Sequence, residues 1–229
     1  MNNEYRIDGF SSQASNQKAL LKTFGWMAIG LLVTAATSFI CLETGIWYVF
    51  FRGIMPLILV IGQVGLAVWM ASTMRNGTVA KLKTLFMVYA ITLGISLTPI
   101  TLMYTGSLIF VAFLVTAVYF GCLVVIGMTT KKDLSKLGTI CFAGLLTLIV
   151  TQLVMMLFHV GMETRIISLI GLLLFTGITA WDMQRVRVII NQTDGMTREK
   201  FSIYMAFEIY LDFINIFLYI LELLGSRDR

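Results

Sequence analysis

Apolar residues fall in seven long runs, near residues 23–42, 54–74, 82–104, 107–128, 138–158, 166–185 and 202–225. Short polar breaks separate them: Glu43-Thr-Gly45, Arg75-Asn-Gly77, Thr105-Gly106, Lys131-Lys-Asp133, Gly161-Met-Glu163 and the polar stretch 191–200. At 1.5 Å of helix per residue, each run can cross the roughly 30 Å of a bilayer's hydrocarbon. The pattern predicts an all-α membrane protein with seven transmembrane helices. The break at Thr105-Gly106 is so short that the third and fourth runs must form a tight antiparallel hairpin. The predicted organisation is a cytoplasmic N-terminal tail over 1–22, a transmembrane domain over 23–225 and a C-terminal tail over 226–229. Residues 1–22 are polar and mixed in charge, unlike a signal peptide, so the first run is read as its own insertion signal.

Composition agrees with the pattern. The chain has 229 residues, 58% of them hydrophobic and 13% charged, with a mean hydropathy of +0.88. A soluble domain of this length cannot hide that much apolar surface. The formal charge of +5 does not mark a nucleic-acid partner, because the basic residues sit in loops between apolar runs. With the N-terminus inside, thirteen Lys and Arg fall on the inner side and four on the outer, accounting for all 17. That bias predicts a cytoplasmic N-terminus and an external C-terminus. It also makes the sequon matches at Asn76 and Asn191 chance, since both lie on the predicted cytoplasmic side.

Few residues suggest chemistry of an enzymatic kind. Cys41, Cys122 and Cys141 are isolated in apolar runs, against a disulfide framework or zinc site. His159 is the one histidine and is placed at the outer interface, so a metal centre is not expected. No nucleophile elbow, zinc-protease motif or phosphate loop is present. Pro56 and Pro99 fall near helix ends, where a missing backbone bond is tolerated.

The last run is different. Glu208, Asp212, Asn215, Tyr219 and Glu222 lie in it, and at about 100° per residue they fall within roughly 40° either side of one line. A carboxylate at bilayer depth costs about 2.5–3.5 kcal/mol on insertion scales, so such a residue is a functional candidate. Counted from Ser202, Asp212 lies about 15 Å deep, near mid-membrane. Glu222 alone reads as a solvated end residue. One helix offers too few oxygens to cage calcium, so the stripe fits a weak, multi-site pathway or proton coupling.

A second acid, Asp182, closes the sixth run. By itself it reads either as a partner for Arg185 at i, i+3 or as part of a site. Arg75, at the end of the second run, is predicted at the same level and reads either as a topology anchor or as a charge-assisted partner for Asp182.

The stretch Ala206-Phe-Glu-Ile-Tyr-Leu-Asp-Phe-Ile-Asn-Ile-Phe-Leu-Tyr-Ile-Leu-Glu-Leu-Leu-Gly225 resembles the C-terminal signature of the Bax inhibitor-1 family. Gly177-Ile-Thr-Ala-Trp-Asp182-Met-Gln184 resembles that family's small-residue run closing in aromatic-Asp-x-Gln, with Trp181 in place of the usual Tyr. The resemblance covers nearly the whole chain. It implies a bundle with the last helix central and a pH-sensitive calcium leak, with the paired aspartates at Asp182 and Asp212. By position, it puts the latch arginine at Arg75. Glu208 is not part of the signature.

The expectation is therefore a calcium channel of the bacterial cytoplasmic membrane, with an intracellular organelle membrane as the alternative location. Asp182 and Asp212 would share a proton and contact calcium weakly, while Glu208, Asn215 and Glu222 line the path. Protonating the pair would release Arg75 and loosen the cytoplasmic end. No cofactor is called for, calcium being cargo. The partners expected are calcium, the lipid bilayer and other membrane proteins, with no nucleic acid. Two rivals stay open: a membrane-embedded regulator that binds other proteins without transport, and an intramembrane aspartyl protease. The second aspartate here follows Tyr210-Leu211, however, rather than the Gly-x-Gly of such proteases.

Overall fold

The computed structural model describes residues 2–157, 164–193 and 195–225, with side chains over 16–152, 165–193 and 195–225. His159 and the tail 226–229 lie outside the described residues. Only helices are found among the described residues: α1 (Asn2–Thr44), α2 (Trp47–Phe50), α3 (Met55–Asn76), α4 (Val79–Met103), α5 (Gly106–Thr129), α6 (Ser135–Leu157), α7 (Thr164–Gln192) and α8 (Gly195–Gly225). Helix is the expected answer for apolar runs, because lipid offers no partner for a backbone N–H or C=O. Pro56 occupies the first turn of α3, where its missing N–H costs nothing. Thr105 caps α5 by accepting from Leu108 N at 3.4 Å. Gly45 follows α1 with φ of 70°, the left-handed conformation that ends a helix most cheaply in glycine.

The seven long helices match the seven apolar runs, but the expected count of seven spans is not met in full. Six described helices are long and apolar enough to cross a membrane. α8, which carries Glu208, Asp212 and Glu222, is not among them. Two predicted boundaries are also corrected. α7 continues to Gln192, well past the end at 185 read from hydropathy, and α8 begins at Gly195. Most of the polar stretch 191–200 is thus helical rather than a break. Hydropathy ends where lipid contact ends, whereas a helix can run on into water. Arg198 Nε closes this turn on Thr193 O at 2.5 Å.

The chain divides into two compact units, one of residues 1–102 and 186–210, the other of 103–185 and 211–229. In the first, Phe86 and Tyr89 of α4 meet Phe207 and Tyr210 of α8 edge to face, with centroids 4.9–6.4 Å apart. Thr34 of α1 ties this cluster together, donating to Ala90 O (3.0 Å) and pairing with the Tyr210 hydroxyl (2.6 Å). Gly94 lets α4 approach α1, since a Cβ there would lie 2.6 Å from Thr34 O. In the second unit, α5, α6 and α7 also close on glycines: a Cβ on Gly127 would meet Ala180 O at 2.5 Å, and Gly138 leaves no room beside the Trp181 ring. Large apolar side chains such as Leu57, Ile61 and Val68 of α3 face outward, as lipid contact requires.

Ahead of the apolar part of α8, Glu199 Oε1 receives Lys22 Nζ at 2.5 Å and Lys83 Nζ at 3.3 Å, joining α1, α4 and α8. The Lys22 hydrogen bond chiefly holds this carboxyl below its ordinary range, against a smaller opposing effect of burial, and Lys83 adds to the lowering. A depressed folded pKa gives stability that is present above the unfolded value, near 4.3, and lost as pH falls through the folded one. The groups are about a third exposed, so the effect is small. Glu199→Gln is expected to remove part of the fall in melting temperature seen below about pH 5. Identical acid titrations of stability in variant and wild type would contradict this.

Candidate functional site

The second unit contains the two aspartates. Asp182 on α7 and Asp212 on α8 are 5% and 4% exposed, so neither carboxyl is solvated. They are within hydrogen-bonding reach of each other. Asp182 also accepts from Arg185 Nη1 at 2.8 Å, and the Arg185 guanidinium lies over the Trp181 ring, 4.8 Å from its centroid. Asp182 thus pairs with Arg185 on its own helix and lies beside Asp212 of α8. The indole at 181 supplies the flat surface on which the guanidinium stacks.

Asp182 is ten residues before Gln192, so α7 runs on for about 15 Å past it.

The other predicted residues divide. Asn215 is half-buried and donates from Nδ2 to Leu211 O of its own helix at 2.7 Å. Glu222 is half-buried and accepts from Ser168 Oγ of α7 at 2.6 Å. It is therefore a helix–helix contact, not the solvated end residue expected, because Ser168 is fully buried and needs an acceptor. Glu208 is half-buried on the part of α8 that belongs to the first unit. Arg75 is exposed in the last turn of α3, also in the first unit.

Gln184 carries a role that sequence reasoning missed. Its Oε1 accepts from Leu134 N at 2.9 Å and its Nε2 donates to Lys132 O at 2.8 Å. One buried amide thus satisfies two backbone groups of the α5–α6 connection, two residues from Asp182. The same connection is shaped by Asp133, which accepts from Ser135 N (2.9 Å) and Oγ (2.6 Å). These bonds hold the exposed Asp133 carboxyl below its ordinary range. The position of Gln184 beside the aspartate motif was the available signal, but nothing local named its partners.

A polytopic helical membrane protein with a buried carboxyl pair on its last two helices is the class this geometry defines. The model for "Inhibitor of apoptosis-promoting Bax1" matches residues 16–229, and the chain belongs to the Bax inhibitor-1 family. Among its relatives is "Inner membrane protein YbhL" of Escherichia coli, 31% identical over 220 residues that cover 94% of each chain. A Rickettsia prowazekii protein is 34% identical over 215 residues, covering 92% of this chain and 90% of the relative. YrjE of Lactococcus lactis is 33% identical over 233 residues, covering 97% and 94%. The E. coli name and the six apolar helices agree on a multi-pass membrane protein.

Gln184→Met keeps length and volume but drops both hydrogen bonds. Leaving two backbone groups without their partner is expected to cost about 1–3 kcal/mol. Amide exchange at Leu134 should accelerate, and unchanged exchange in the variant would contradict the clamp.

Proposed function

We propose that this protein is a pH-sensitive calcium leak of the bacterial cytoplasmic membrane, gated by the Asp182–Asp212 pair. The supporting observation is the buried carboxyl–carboxyl contact between α7 and α8. One proton between two acids makes that contact cohesive, and losing it makes the contact repulsive. Proton exchange at this point therefore changes how tightly α7 and α8 hold together. A charged pair also attracts a divalent cation that a neutral pair does not. Arg185 accompanies Asp182 in this arrangement. α8 is the seventh span in this reading. The Lys and Arg distribution supports a cytoplasmic N-terminus. Arg75 is the proposed closing residue at the cytoplasmic end, and Glu208, Asn215 and Glu222 flank the path on α8.

Calcium flux into proteoliposomes tests this for wild type, Asp182→Asn and Asp212→Asn across about pH 6 to 8. Each Asn variant removes one exchangeable charge at nearly constant volume, so each is expected to lose the wild-type pH response. Equal flux and equal pH response in all three would overturn the reading. Arg75→Ala should raise the flux of the resting state, and no change would remove Arg75 from it.

A further inference from the structure

Thr179 lies on α7 three residues before Asp182. It is fully buried, yet its hydroxyl meets no hydrogen-bond partner among the described residues. Other helical threonines here use the carbonyl one turn back: Thr176 donates to Leu172 O at 2.6 Å, Thr116 to Ala112 O at 2.7 Å and Thr98 to Gly94 O at 3.1 Å. Thr179 has the same option and does not take it. A valine would fill the same space without an unmet hydroxyl, so packing does not account for threonine at this position.

The contacts between α7 and α8 show where Thr179 lies. Ser168 meets Glu222, Gly171 and Phe175 meet Tyr219, and Asp182 meets Asp212. At about 100° per residue these α7 positions gather on one line, and Thr179 falls within roughly 50° of it. Register falls along α8 as it rises along α7, from 175 with 219 to 182 with 212, which sets Thr179 level with Asn215. The Asn215 amide is already oriented. Leu211 O can only accept, so Nδ2 faces it and Oδ1 is left for another partner.

We infer that Thr179 and Asn215 supply neutral oxygens to a divalent-cation site completed by the Asp182–Asp212 carboxyls. This deepens the leak reading and rests on it. Calcium takes six to eight oxygens, from carboxylates, hydroxyl or amide groups and water. Among the described residues no three His, Cys, Asp or Glu side chains gather into a metal cage. Two carboxyls helped by two neutral oxygens and retained water bind weakly enough to release the ion, as conduction requires. In this site the partner of the Thr179 hydroxyl is the passing ion or that ion's water.

The test uses the full chain in detergent and calcium as the probe. Thermal unfolding is followed against calcium concentration for wild type, Thr179→Ser and Thr179→Val. Thr179→Ser should keep the wild-type calcium midpoint. Thr179→Val should need about tenfold more calcium, the loss of one hydrogen bond or ligand to a charged group. Its calcium-free melting temperature should be unchanged or higher. A wild-type midpoint in Thr179→Val, a lower calcium-free melting temperature with an unmoved midpoint, or no calcium shift in wild type would each overturn the site. Proteoliposome flux separates this from the leak itself. Wild-type flux that ignores Thr179→Val overturns the site and leaves the leak standing, whereas a shifted midpoint without any wild-type flux supports the site and overturns the leak.

Discussion

A carboxyl-to-carboxyl contact buried between two helices of a membrane protein is the constraint on which the second unit turns. Asp182 and Asp212 are each almost wholly removed from solvent, where an uncompensated charge costs several kcal/mol and a bare pair of charges costs more. The surrounding sequence answers that cost in layers. Arg185 gives Asp182 a charged partner, Trp181 gives Arg185 a surface, and Gly138 gives the Trp181 ring its space. Each step is a different kind of interaction, yet each depends on the one after it. Replacing Gly138 with a larger residue would therefore reach the aspartates through the indole and the guanidinium.

The two long C-terminal helices carry this arrangement because they depart from the composition of the others. α3 and α5 are apolar nearly all round and present much of that surface outward. α8 instead buries Ile203, Met205, Ile209, Tyr210, Phe213 and Ile216 with Asp212 among them. An acid in such a row is tolerated only where protein replaces lipid around it. The same reasoning applies to Glu222, which the buried hydroxyl of Ser168 engages.

Much of this was legible in the sequence, and for definite reasons. Seven apolar runs gave the long helices because hydropathy at this length has few other meanings. Asp212 stood out because an acid flanked by Leu211 and Phe213 near mid-membrane is costly. The meeting of Asp182 with Asp212 was reached through resemblance rather than spacing, since 30 residues separate them and no local pattern joins them. Helix ends were misplaced at residues 185 and 202 because hydropathy records lipid contact, while Arg187 and Arg198 stay helical without it. Gln184 was seen as a motif letter but not as a clamp, because its partners at Lys132 and Leu134 become neighbours only after folding. Thr179 gave no signal at all. A threonine in a membrane helix ordinarily satisfies itself, and only the folded structure shows one that does not.

Proton sharing between Asp182 and Asp212 is most directly read by infrared spectroscopy of the purified protein through a pH titration. The carbonyl stretch of a protonated carboxylic acid reports the proton itself. Sharing predicts one such band that titrates in wild type and is lost or displaced in both Asp182→Asn and Asp212→Asn. A band that persists unchanged in either variant, or that is absent from wild type throughout the titration, would contradict it.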